Sequence, residues 1–88
     1  MPERTVEIVN EAGIHARPAA EIVQLAAKFR SEIVIEKDGL EVNAKSIMGV
    51  MMLAAEHGAV IILRATGDDA EGALDALCAV IANKFGES

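Results

Sequence analysis

One stretch constrains this chain more than any other: residues 10–20, reading Asn-Glu-Ala-Gly-Ile-His-Ala-Arg-Pro-Ala-Ala. A turn signal at Ala12-Gly13 leads into His15, Arg17 follows two residues later, and Pro18 opens an apolar, alanine-rich run. Proline is at home in the first turn of a helix, where its missing N–H would lack a partner in any case. His15 therefore falls at, or one residue before, a helix N-terminus. Unpaired backbone amides and the positive end of the helix dipole meet there and receive an anion well. A neutral imidazole is a nucleophile, and Arg17 is a fork of donors matched to phosphate oxygens. The stretch predicts a phosphoryl group carried on His15. Plainer roles also fit the same residues, with the histidine as a helix cap and the arginine as a solvated surface charge.

Composition narrows the classes. At 88 residues the chain, 1–88, has room for a single domain and one core. Only Phe29 and Phe85 are aromatic, so that core must be built from Val, Ile, Leu, Met and Ala. A net charge of −6 argues against nucleic acid as a partner, because phosphate backbones are held by basic surfaces. Too few aromatics remain to stack single-stranded bases. Cys78 is alone, which leaves no intramolecular disulfide and no cysteine pair for a metal. It reads as an inert, buried thiol. No phosphate-cradling glycine-rich loop is present, so no cofactor is expected and the phosphate must arrive on another protein. The N-terminus lacks the apolar region of a signal peptide, and no apolar run approaches the ~20 residues that span a bilayer. A cytoplasmic protein with no membrane insertion is expected.

The periodicities give an element order. Val6 and Ile8 alternate with Thr5 and Glu7 as in a half-buried strand. Ala19, Ile22, Val23, Ala26 and Phe29 form one helical stripe, with Lys28 and Arg30 near its C-terminal end, where the dipole favours cations. Ile33 and Ile35 mark a second strand, Asp38-Gly39 a two-residue hairpin turn, and Leu40 and Val42 a short third strand. Ser46 can cap a brief helix from Ile47 to about Leu53, weakened by Gly49. The unbroken apolar run Val60-Ile61-Ile62-Leu63 suggests a fourth strand at the centre of the sheet. Gly67-Asp68-Asp69 opens a last helix whose buried stripe is Leu74, Leu77, Val80 or Ile81, and Phe85, ended by Lys84 and Gly86. The order is β-α-β-β-α-β-α, an α+β chain with one sheet covered by helices on one face.

Two motifs now make the chain recognisable. Gly13-Ile14-His15-Ala16-Arg17-Pro18-Ala19-Ala20 resembles the phosphohistidine motif of the HPr family, the histidine-containing phosphocarriers of the bacterial phosphoenolpyruvate-dependent sugar phosphotransferase system. Asn43-Ala44-Lys45-Ser46-Ile47-Met48-Gly49-Val50-Met51 is similar to that family's regulatory-serine segment. The resemblance implies an open-faced β-sandwich, with a four-stranded antiparallel sheet in the order 1-4-2-3 and three helices on one face. It implies that His15 accepts phosphate on Nδ1 from phosphorylated Enzyme I and donates it to the A domains of sugar permeases. Arg17 and the Ala16 and Arg17 amides would support the phosphate. The chain would be a carrier with a covalent phosphohistidine rather than a stand-alone catalyst, and a monomer.

Ser46 is, in many members of the family, phosphorylated by a dedicated HPr kinase/phosphorylase. A phosphate there adds roughly two negative charges to the docking surface and repels an acidic partner. A plain N-cap serine accounts for the same placement. Ile47, Met48, Met51 and Met52 form a soft apolar cluster, part of it core and part a docking face beside Ile14, Ala16 and Ala20. Two departures stand out, Ala12 for a polar loop residue and Ala54-Ala55 where relatives often carry Leu-Gly; they touch partner preference rather than His15. The alternatives are the nitrogen-branch phosphocarrier, or a regulatory binding module acting through phosphorylated Ser46 and a transcriptional regulator.

Overall fold

The computed structural model describes residues 2–87. Its elements are β1 (Glu3–Glu7), α1 (Ala16–Ala26), β2 (Glu32–Lys37), β3 (Leu40–Asn43), α2 (Ile47–Met52), β4 (Val60–Thr66) and α3 (Ala70–Ala82), followed by a tight turn at Lys84–Gly86. The strands form one antiparallel sheet in the order β1-β4-β2-β3. Ile35 lies opposite Leu63, Ile33 opposite Ala65 and Val6 opposite Ile61, so one face of the sheet is apolar. The helices cover it: Ile22 and Ala26 of α1, Val50 of α2, and Leu74, Leu77 and Ile81 of α3 are all buried in the same core. The result is the expected two-layer open-faced sandwich.

The other face of the sheet is polar, as the period of two requires. Arg64 stands opposite Glu3 on one side and Val34 on the other. Its guanidinium donates to Glu3 at 3.0 Å and Glu36 at 2.6 Å, crossing three strands. The Asp38-Gly39 turn takes positive φ at both residues, 51° and 85°, the conformation that lets a two-residue hairpin follow the strand twist.

β4 is central, as expected, with Ile61 and Leu63 pointing into the core while Val60 is exposed and Ile62 half-buried. Three expectations are corrected in detail. α1 ends at Ala26, so Lys28 and Arg30 follow the helix instead of standing in its last turn. In α2 the core residue is Val50, and Met48, Met51 and Met52 are all exposed. Six residues present fewer than two turns, so one side chain suffices to anchor the helix. α3 stops at Ala82, and Lys84, Phe85 and Gly86 take positive φ in succession. That reversal drops the Phe85 ring into the core and turns the chain back toward α1.

Candidate functional site

His15 occupies the N-cap position of α1, with an extended backbone (φ −93°, ψ −167°). Its carbonyl accepts from the Ala19 amide at 3.0 Å, starting the helix. Its imidazole makes no bond to the helix amides, so the ring is not spent on capping. Pro18 has no N–H, which leaves the amides of Ala16 and Arg17 as the donors at the open end of the first turn. Arg17 itself reaches into solvent, its side chain 72% exposed and its Nε 3.9 Å from Glu21, a loose contact that leaves the guanidinium free to close on an anion.

The loop before His15 is held in three places. Asn10, fully buried, donates from Nδ2 to the Gly13 carbonyl at 2.7 Å. The Gly13 amide donates back to the Asn10 carbonyl at 3.1 Å, and the Ile14 amide to the Ala55 carbonyl at 2.8 Å. Gly13 has φ +69°, and a Cβ there would lie 2.6 Å from the Ala55 carbonyl oxygen and 2.9 Å from Glu56 Cα. Only glycine permits this approach of the loop to the segment after α2. Ala55, one of the departures from the family pattern, acts here through its backbone.

A carboxylate completes the site. Glu87 Oε2 lies 2.8 Å from His15 Nε2, and Glu87 Oε1 accepts from Asn10 Nδ2 at 3.0 Å. The Asn10 hydrogen bond, first, holds the Glu87 carboxyl below the usual glutamate range, with His15 and Arg17 adding to it against an opposing push from burial. Sequence reasoning counted only cations and the helix end around His15. It missed Glu87, which lies 72 residues away and reaches the ring through the Lys84–Gly86 reversal. Asn10 carried a findable signal: asparagine three residues before a glycine is a common loop-closing pattern.

At the start of α2, Ser46 Oγ accepts from the Gly49 amide at 3.1 Å, the capping bond its position predicts. Ile47, Met48 and Met51 are exposed by 46%, 77% and 44%, and α2 packs beside α1, so this apolar patch lies alongside the helix that His15 caps. Ala16 is exposed and Ala20 half-buried on the same side. Ile14 is not part of the surface. At 7% exposure it belongs to the core, because the loop bonds of Asn10 and Ala55 turn its side chain inward. Cys78 is half-buried, and burial pushes its thiol above the ordinary value. Among the described residues no group of three or more His, Cys, Asp or Glu side chains could hold a metal ion. No helix among them is long and apolar enough to cross a membrane.

An open-faced sandwich with an exposed imidazole at the open end of its first helix defines a class of histidine-bearing carrier domains. Residues 2–83 match the family described as PTS HPr component phosphorylation site. The phosphocarrier protein HPr of Cupriavidus necator is 49% identical over 87 residues, covering 99% of this chain and 98% of that relative. The HPr-like protein Crh of Halalkalibacterium halodurans is 53% identical over 81 residues, covering 92% of this chain and 96% of the relative. The crystal structure of HPr from Thermoanaerobacter tengcongensis superposes with a TM-score of 0.96 at 56% identity, covering 100% of this chain and 99% of that one. The chain belongs to the HPr phosphocarrier family of the phosphotransferase system.

Proposed function

We propose that His15 is the phosphoacceptor of this chain, taking phosphate on Nδ1 from phosphorylated Enzyme I and passing it to the A domains of sugar permeases. The observation that carries the reading is the uncommitted Nδ1 of the ring at the open end of α1. Nε2 faces Glu87, while Nδ1 has no partner among the described residues. The Ala16 and Arg17 amides and the solvent-exposed Arg17 guanidinium stand within one turn of it. Positioning and charge do most of the work in phosphoryl transfer, and these donors supply both. The exposed Ile47, Met48 and Met51 patch, with Ala16 and Ala20, is the docking face for these proteins. Incubation with phosphoenolpyruvate and Enzyme I, read by intact mass, tests the reading: one acid-labile phosphate appears on the wild type and none on His15→Ala. A folded wild type that stays unlabelled sinks it.

Ser46 is the proposed regulatory site. Its hydroxyl sits on the cap of α2, next to the exposed face. Phosphate there adds charge to the docking face, where it repels an acidic partner, without breaking the core. Phosphorylated protein is expected to accept phosphate at His15 far more slowly, and equal rates for the two forms would refute the regulation. The likeness to a Crh protein favours, as a second reading, a module that signals through Ser46 to a transcriptional regulator. Labelling of His15 separates the two.

A further inference from the structure

We propose that Glu87 is a positioning residue that fixes the ring proton of His15 on Nε2 and so presents the Nδ1 lone pair to the incoming phosphoryl group. The inference rests on His15 being the acceptor and adds a residue to that site.

The hydrogen-bond inventory carries it. An ionised carboxylate accepts hydrogen bonds and cannot donate them. Both oxygens of Glu87 are engaged, Oε1 by the Asn10 amide at 3.0 Å and Oε2 by His15 Nε2 at 2.8 Å. Asn10 Nδ2 also donates to the Gly13 carbonyl, and both of its partners are acceptors, so its amide orientation is fixed. With Oε1 occupied, Oε2 is the oxygen left for the ring, and a 2.8 Å contact to it requires a proton on Nε2. In the neutral imidazole the other nitrogen then holds the lone pair. Asn10 orients the carboxylate, the carboxylate orients the ring, and the same asparagine closes the loop that carries the histidine.

The arrangement also serves the transfer. As the Nδ1 lone pair forms the N–P bond, the bond from phosphorus to the donor's leaving atom breaks and that atom keeps its electron pair. The proton stays on Nε2, so the ring becomes a cation directly beside the Glu87 carboxylate. The exposed Arg17 guanidinium, held only loosely by Glu21, is available to meet the phosphate oxygens. Loss of the Nε2 proton to water gives the neutral phosphoimidazole, and its return makes the ring a better leaving group for onward transfer.

Glu87→Gln tests the role, because glutamine keeps the shape but offers one acceptor oxygen where Asn10 and His15 each need one. Long-range proton–nitrogen correlation on nitrogen-15-labelled protein, at a pH where the ring is neutral, reads which nitrogen holds the proton. The wild type is expected to show the Nε2–H form, and the variant a measurable share of Nδ1–H. Phosphate acceptance from phosphorylated Enzyme I is expected to slow roughly fivefold to tenfold, since the neutral ring still presents Nδ1 part of the time. Thermal unfolding is expected to stay the same. A wild type in the Nδ1–H form, or a variant with an unchanged proton position or an unchanged rate, overturns the proposal. If the wild type takes up no phosphate, the carrier reading fails, and the nitrogen spectra still decide whether Glu87 holds the proton.

Discussion

Asp69 accepts hydrogen bonds from both the amide of Ser31, at 3.0 Å, and its hydroxyl, with a third from the Arg30 amide at 2.8 Å. Asp69 is the N-cap residue of α3, yet it makes no cap bond to its own helix. Its carboxylate instead ties the start of α3 to the residues that lead into β2. Ser31, one of two buried polar residues among the described residues, is satisfied by this contact.

The latch has a pH dependence. The Ser31 hydroxyl, first, and then the Arg30 and Ser31 amides hold the Asp69 carboxyl below the usual aspartate range. A folded-state value below the unfolded one means that folding favours the ionised form. The stabilisation is complete above the unfolded value of about 3.9 and is lost as pH falls through the depressed folded value. Urea midpoints of wild type and Asp69→Asn, measured from pH 7 to pH 2, are expected to differ most at neutral pH and to converge in acid. Parallel curves would show that the latch contributes no linked stability.

Gly13→Ala is expected to damage both fold and site. The new methyl group meets the Ala55 carbonyl oxygen and Glu56 Cα, which are backbone atoms and cannot swing away, at a φ that alanine resists. Overpacking and backbone strain together cost about 2–4 kcal/mol. The loop must move away from Ala55, taking with it the Ile14 amide bond and the ring of His15. Denaturant unfolding reads the first effect and the rate of phosphate uptake reads the second, and a variant with native values in both contradicts the close approach.

Much of this was legible in the residues. Pro18 two positions after Ala16 set the start of α1, the alternation at Ile33 and Ile35 marked β2, and the unbroken apolar run Val60-Ile61-Ile62-Leu63 marked β4 and its central place. Ser46 capped where a serine before a short apolar run is expected to cap. Periodicity failed where it has no purchase. Ile14 stands in a loop, and no repeat assigns a loop side chain to a face; only its amide bond to Ala55 does. The methionines were split between core and surface by composition, while the length of α2 put them outside. Glu87 is brought to His15 by three consecutive left-handed residues, two of them not glycine, and local propensity argues against such a turn.

Ile14 and Met48 therefore part company under substitution. Ile14→Ala removes a buried side chain from the core and is expected to cost about 2–4 kcal/mol, seen as a lower urea midpoint. Met48→Glu alters an exposed side chain and is expected to leave stability within about 0.5 kcal/mol. It places a charge in the apolar patch, so binding to Enzyme I is expected to weaken by roughly tenfold, as for a central interface residue. Titration calorimetry of the two variants against Enzyme I distinguishes them, and undiminished affinity for Met48→Glu removes the α2 face from the docking surface.

Arg17 separates chemistry from folding most cleanly. Its side chain makes one loose contact, 3.9 Å to Glu21, and is otherwise in water among the described residues. An exposed pair of this kind is worth about 0–1 kcal/mol, so Arg17→Ala is expected to shift the thermal midpoint by only a few degrees at most. In the proposed transfer step the same guanidinium would meet phosphate oxygens, where charge-assisted, bidentate bonds are far stronger than a solvated ion pair. Loss of the arginine is thus expected to slow phosphate acceptance by at least roughly tenfold, about 1.4 kcal/mol of transition-state stabilisation. Arg17→Lys keeps the charge but not the fork and is expected to recover part of the rate. Rapid-quench rates for the three proteins, set beside their melting curves, decide the matter. Equal rates in wild type and Arg17→Ala leave the arginine as surface charge, and the helix amides of Ala16 and Arg17 as the sole donors to the phosphate.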